Sequence, residues 1–219
     1  MKILVVGFPR SGTSLTHRIV NSNPDVKNML FEKWLLIQAK TKQQLVEKYP
    51  FLNFTSGEKV IIEKRVIGKI GKSNFNIIDY CLQWNDWFGK EAKIIQLVRH
   101  PCDSLNSLVL SKKRFPRGPS FKTVYHEYLT YIPNFINDIY NMPNCLTVKY
   151  EQLLATPKQV IKNIYTHCNI NSDYTYKEKI KKGRAFNYKH KDLLFDYNPK
   201  LEEAIKVFNQ FDGPTYEKY

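Results

Sequence analysis

The chain has 219 residues, enough for one compact domain with a sizeable core. A hydrophobic share of 42% and a charged share of 25% are those of an ordinary globular protein, and no low-complexity tract or internal repeat runs through it. The formal net charge of +14 predicts an attraction for anions, but the basic residues are spread along the whole sequence without zinc-finger spacing or a basic-zipper heptad, which argues against nucleic acid. An anionic nucleotide, an acidic acceptor or simply a lysine-rich surface remain as accounts of the charge.

In chain order, residues 3–6 form a continuous apolar run ending at Gly7, which reads as a buried parallel strand. Gly12 then opens a segment with Leu15, Ile19 and Val20 at helical spacing. The run at residues 3–6 is too short for a signal-peptide core or a membrane helix. Further strands are expected at residues 60–62, leading into Glu63 and Lys64, at 94–98, ending at Arg99, and at 146–148. Pro101 and Asp103 precede a stripe of Leu105, Leu108 and Val109, with Asp103 as the expected cap. Val124, Tyr128, Leu129 and Ile132 form another stripe, interrupted by Pro133, and Val160, Ile161, Ile164 and Tyr165 a third. Strands alternating with helices predict an α/β three-layer sandwich around a central parallel sheet, and with no Gly-, Ser- or Pro-rich linker, residues 1–219 read as a single domain. The four cysteines, Cys81, Cys102, Cys145 and Cys168, have neither metal-site nor disulfide-framework spacing, so a reducing, cytoplasmic location without a membrane segment is expected.

Ligands of open parallel sheets bind beyond the carboxyl ends of the strands. The first such loop reads Gly7-Phe8-Pro9-Arg10-Ser11-Gly12-Thr13-Ser14. A short strand-to-helix loop offers backbone N–H groups and the positive end of a helix dipole to a phosphate, with hydroxyls from Ser11, Thr13 and Ser14. Gly7, Gly12 and Ser14 have the spacing of a Walker A loop, GxxxxGK[ST], but Thr13 stands in the lysine position and Arg10 supplies a cation instead. The strand itself ends in Arg99, with no acidic residue placed to hold a metal as in P-loop NTPases. No metal is therefore expected.

GFPRSGTS resembles the 5′-phosphosulfate loop of sulfotransferases that use 3′-phosphoadenosine-5′-phosphosulfate (PAPS), in the PRSGT form of tyrosylprotein and Golgi-type enzymes. An independent second match, Arg99-His100-Pro101-x-Asp103-x-x-x-Ser107, resembles the family's RxPxDxxxS segment, which implies that Arg99 and Ser107 contact the 3′-phosphate. Ser104, Ser107 and Ser111 fall on one helical face opposite the apolar stripe, a pattern that a solvated face also has. Thr147-Val148-Lys149-Tyr150-Glu151-Gln152-Leu153 is similar to the segment whose tyrosine lies near the adenine, which gives Tyr150 that role. Ile62-Glu63-Lys64 is similar to the segment with a lysine near the reacting group. Lys182-Gly183-Arg184 is a weaker match to a late cofactor clamp.

The resemblance runs from residue 3 to about residue 170 and implies a P-loop NTPase-like sulfotransferase fold. It implies metal-independent, in-line transfer of a sulfuryl group from PAPS to an acceptor hydroxyl, leaving 3′-phosphoadenosine-5′-phosphate (PAP). Arg10 and Lys64 are the candidates to stabilise charge on the leaving phosphate. Relatives with this loop carry an acidic general base after an N-P-x-V segment. Here Asn23-Pro24-Asp25-Val26 precedes Glu32, after a short local gap, and the histidine of the cytosolic branch is missing from residues 62–66. Glu32 also suits the first turn of a helix through Trp34, Leu35 and Ile37. Glu63 and His17 are the reserve candidates. The acceptor class — glycan, protein tyrosine or small molecule — and the oligomeric state are left open by the motifs. A nucleotide kinase or NTPase, and a non-catalytic family member, are the competing readings.

Overall fold

The computed structural model describes residues 1–31, 39–49, 60–66, 77–114, 121–176, 180 and 198–210. Five parallel strands form one sheet: β1 (Lys2–Gly7), β2 (Val26–Phe31), β3 (Val60–Val66), β4 (Ala92–Val98) and β5 (Cys145–Lys149), in the order β2-β3-β1-β4-β5. The helices among the described residues are α1 (Thr13–Asn21), α2 (Lys42–Lys48), α3 (Ile77–Phe88), α4 (Pro101–Arg114), α5 (Phe121–Tyr140), α6 (Tyr150–Ala155), α7 (Pro157–His167) and α8 (Pro199–Gln210).

Alternation along β1 divides the core. Ile3 and Val5 pack with Ile19 and Val20 of α1 and with Val160, Ile161 and Ile164 of α7. Leu4 and Val6 face Tyr80 and Trp84 of α3, Phe135 and Ile139 of α5, and Leu201 and Phe208 of α8. Both sheet faces are therefore covered, and all of β1 is buried, which is why its residues 3–6 are continuously apolar. Gln96 is the polar exception inside β4. Its amide donates to the Phe135 carbonyl at 2.7 Å and its oxygen accepts from Thr147 Oγ1 at 2.5 Å, so the buried group is satisfied and ties the sheet to α5.

The three-layer α/β architecture is the expected one, with local corrections. Among the described residues there are five strands rather than four. β2 was hidden because Lys27 and Asn28 break its apolar run, and its register with β3 shifts between Val26 and Asn28. Pro133 does not interrupt its helix; α5 continues through it. An interior proline costs about 3 kcal/mol. Burial of Tyr128, Leu129, Ile132, Phe135, Ile136 and Ile139 around it outweighs that, at roughly 1.5–3 kcal/mol for a large apolar side chain. Asp103 is not a cap: α4 begins at Pro101, which leaves Asp103 inside the first turn.

Candidate functional site

In the strand order, connections from β1 run to one side of the sheet and those from β4 to the other. The crevice between the carboxyl ends of β1 and β4 is thus the place where a ligand fits between diverging loops. Both phosphate-type motifs lie there.

The loop after β1 is anchored by Phe8. Its buried ring meets Tyr128 at 4.5 Å and, edge-on, Phe135 at 5.0 Å. The Ser11 amide donates to the Phe8 carbonyl at 3.1 Å and closes a tight turn. Arg10 sits at φ 72°, in the left-handed region that costs a non-glycine residue roughly 1–2 kcal/mol. Gly12 caps α1 at φ 100°. A β-carbon there would overlap the Tyr150 ring, and one on Gly7 would come within 2.5 Å of Ser11 Oγ and 2.8 Å of the Leu97 carbonyl. The loop therefore needs glycine at both ends, once for sheet packing and once for backbone conformation and the approach of Tyr150. The Thr13 and Ser14 amides precede the first bonds of α1, which run from Leu15 and Thr16 to the Gly12 carbonyl, and they lie at the positive end of the helix dipole. Ser11 Oγ is buried without a hydrogen-bond partner among the described residues.

The second motif laces onto the first. Arg99, leaving β4, donates from Nη1 to the Arg10 carbonyl at 3.0 Å, and Arg10 Nε donates to Ser107 Oγ of α4, also at 3.0 Å. The Arg99 guanidinium stands 4.8 Å from the centre of the Tyr150 ring and 3.9 Å from the Asp103 carboxylate. Three residues predicted from two separate segments, Arg10, Arg99 and Ser107, are thereby brought into one bonded set, with Tyr150 packed against Gly12. Thr13, in the Walker lysine position, is buried, and Ser14 lies in the first turn of α1.

Other expectations meet different geometry. Ser104 is buried rather than on a solvated face, because α5 and α8 cover α4. Lys64 lies on β3 in register with Val5 and with Phe31, the last residue of β2. Glu32, Lys182 and Arg184 lie outside the described residues. His17, a reserve base, is fully buried in α1, a poor place from which to reach an acceptor.

Sequence reasoning gave no role to Glu151, the first residue after Tyr150. Its Oε1 accepts the His100 amide at 2.9 Å, and burial pushes its pKa above the ordinary carboxyl value. The His100 and Arg99 interactions oppose that rise, and Asp103 adds to it. The sequence signal was its place beside Tyr150 in the segment from Thr147 to Leu153 that matches the family pattern.

The family model of the sulfotransferase domain matches residues 1–205. The chain belongs to the sulfotransferase family. No individual curated protein matches it. Among solved structures, the sulfotransferase domain of the Synechococcus PCC 7002 olefin synthase is similar at TM-score 0.65 and 16% identity, covering 98% of this chain and 96% of that one. The sulfotransferase domain of the Curacin biosynthetic pathway is similar at 0.62 and 14%, covering 94% and 96%. Mouse sulfotransferase SULT7A1, complexed with PAP, gives 0.53 and 16%, covering 96% and 78%. At these identities the structures speak for the fold, and the family match speaks for the activity. This protein is a sulfotransferase, an enzyme that acts on an acceptor substrate. No helix of this sulfotransferase among the described residues is long and apolar enough to cross a membrane.

Proposed function

We propose that this sulfotransferase uses PAPS as donor and an acceptor hydroxyl as receiver, with residues 1–219 acting as a single domain. The observation that carries the donor reading is the lacing of Arg10, Arg99 and Ser107 across two loops. Such a set suits a ligand with two separate anionic groups. The orphaned, buried Ser11 hydroxyl and the close-packed Gly7 and Gly12 fit an anion resting on the α1 N-terminus.

Residues of the first loop, Arg10, Ser11, Gly12, Thr13 and Ser14, would hold the 5′-phosphosulfate, and Arg99 and Ser107 the 3′-phosphate. Tyr150, between Gly12 and Arg99, would border the nucleoside. When bound, PAPS supplies an activated sulfuryl group whose bond to the 5′-phosphate breaks as the acceptor oxygen arrives in line. Arg10 and the α1 amides then face the charge growing on the departing phosphate, and they stabilise the transition state more than the ground state. Lys64 is assigned to the same task from β3. Glu32 is assigned as the base that takes the acceptor's proton. None of these roles needs a metal ion. The four cysteines are free, and three of them are buried, which suits a reducing, cytoplasmic setting.

The test has two arms. Melting with PAP and with AMP, without magnesium, should give a clear shift with PAP only, since a ligand at about a hundred times its dissociation constant adds roughly 2.7 kcal/mol. Equal or absent shifts would remove the two-anion assignment. Incubation of sulfur-labelled PAPS with glycan, tyrosine-peptide and small-alcohol acceptors then reports turnover and acceptor class together.

A further inference from the structure

Glu151 is the buried acidic residue among the described residues, and burying a carboxylate is costly unless something holds it there. What it holds is the turn between β4 and α4. Its Oε1 accepts the His100 amide, which lies just ahead of the helix and has no helical carbonyl to bond. The His100 carbonyl in turn accepts the Ser104 amide at 3.1 Å, so α4 starts from the peptide that Glu151 grips. The neighbouring Tyr150 lies against the Arg99 guanidinium. Two adjacent residues at the end of β5 thus clasp two adjacent residues at the end of β4. From that clasp Arg99 reaches the Arg10 carbonyl, and Ser107 follows one helical turn after Ser104.

We infer that Glu151 is a positioning residue, which fixes the Arg99–His100 turn so that Arg99 and Ser107 stand correctly for the donor's 3′-phosphate. The inference rests on the donor reading above. A merely structural cap would affect stability alone, whereas a positioning role affects donor affinity specifically.

The parent protein is first titrated with PAP. Absence of binding there overturns the donor reading and this inference with it. Glu151→Gln keeps an acceptor for His100 and should hold PAP affinity within about threefold of the parent. Glu151→Met fills similar space without an acceptor. It should raise the PAP dissociation constant and the donor KM about tenfold or more, a change of roughly 1.4 kcal/mol, while the acceptor KM and the kcat at saturating donor change little. Tyr165→Phe is the stability control, because it removes the 3.0 Å bond from that hydroxyl to the Ile19 carbonyl, far from the turn. It should lower the melting temperature and leave PAP affinity unchanged. Parent-like PAP affinity in Glu151→Met, or an equal loss in the Tyr165 control, overturns the inference. If Glu151→Met does not fold, Glu151→Asp decides, since its carboxylate stops a methylene short of His100. A tenfold loss in that variant supports positioning, and parent-like affinity refutes it.

Discussion

At the amino ends of β1 and β4 the Lys2 and terminal ammonium groups face Glu91 at 3.7 and 3.6 Å, and the Ile94 amide is taken by the Asn144 carbonyl. At the carboxyl ends of the same strands stand a left-handed arginine, a left-handed glycine, a buried hydroxyl without a partner and two arginines laced through a backbone carbonyl. The amino edge has left-handed backbone too, at Gly89 and Asn144, but there the Asn144 carbonyl takes the Ile94 amide. The carboxyl edge sets its left-handed loop beside the buried Ser11 hydroxyl, which has no partner among the described residues. The contrast supports the proposed site, and it predicts which substitutions cost activity and which cost only stability.

The largest effect is expected at Gly12. Its φ of 100° strains any side chain, and a β-carbon overlaps the Tyr150 ring, so Gly12→Val distorts the loop and the aromatic wall together. Backbone strain alone is worth roughly 1–3 kcal/mol. Turnover should fall by about a hundredfold or more, and the PAP-induced melting shift should vanish. Parent-like kinetics in this variant would mean that the first loop does not cradle the donor.

Next come the laced side chains. Arg99→Ala and Ser107→Ala should raise the donor KM by about ten- to a hundredfold with less effect on kcat, because the 3′-phosphate is remote from the breaking bond. Arg10→Ala should act mainly on kcat, since the proposed site sets Arg10 against charge that develops during the reaction. Its bond to Ser107 adds a smaller effect on KM. Equal changes in kcat and KM across the three variants would dissolve the distinction between a binding and a reacting anion site.

What was legible followed from local pattern. Residues 3–6 of β1 are a continuous apolar run and residues 94–98 of β4 are one broken only by Gln96, each ending in a turn, and both motif loops could be placed because their residues are consecutive. What was hidden depends on distance or on cover. Glu151 reaches His100 across 51 positions, a pairing that only the β4–β5 register creates. Ser104 sits on the same helical face as Ser107, yet it is buried, because α8 packs over α4 and Phe208 lies edge-on to the His100 ring at 5.3 Å. β2 was lost because an edge strand with a register shift tolerates polar residues in its run. Pro133 misled because its intrinsic cost is real, and tertiary packing overrides it.

The smallest effect at neutral pH is expected at the amino edge, from His167. It ends α7 and faces the backbone of Ile94 and Asn144. Its pKa is lowered from 6.5 to about 4, first by burial and then by the nearby Lys93 ammonium. The folded state thus binds this proton more weakly than the unfolded chain does. The associated stability is fully present above pH 6.5 and is lost progressively as pH falls toward 4. By linkage the loss is negligible at neutral pH and on the order of 1 kcal/mol near pH 5.5. His167→Leu keeps the site filled and removes the proton, so it should flatten this part of the acid limb in melting measured across that range. Its donor KM should equal the parent's, because the ring lies at the far end of β4 from Arg99. An unchanged acid limb would show that the ring is solvated in the folded state, and a raised donor KM would show that the two edges of the sheet are coupled.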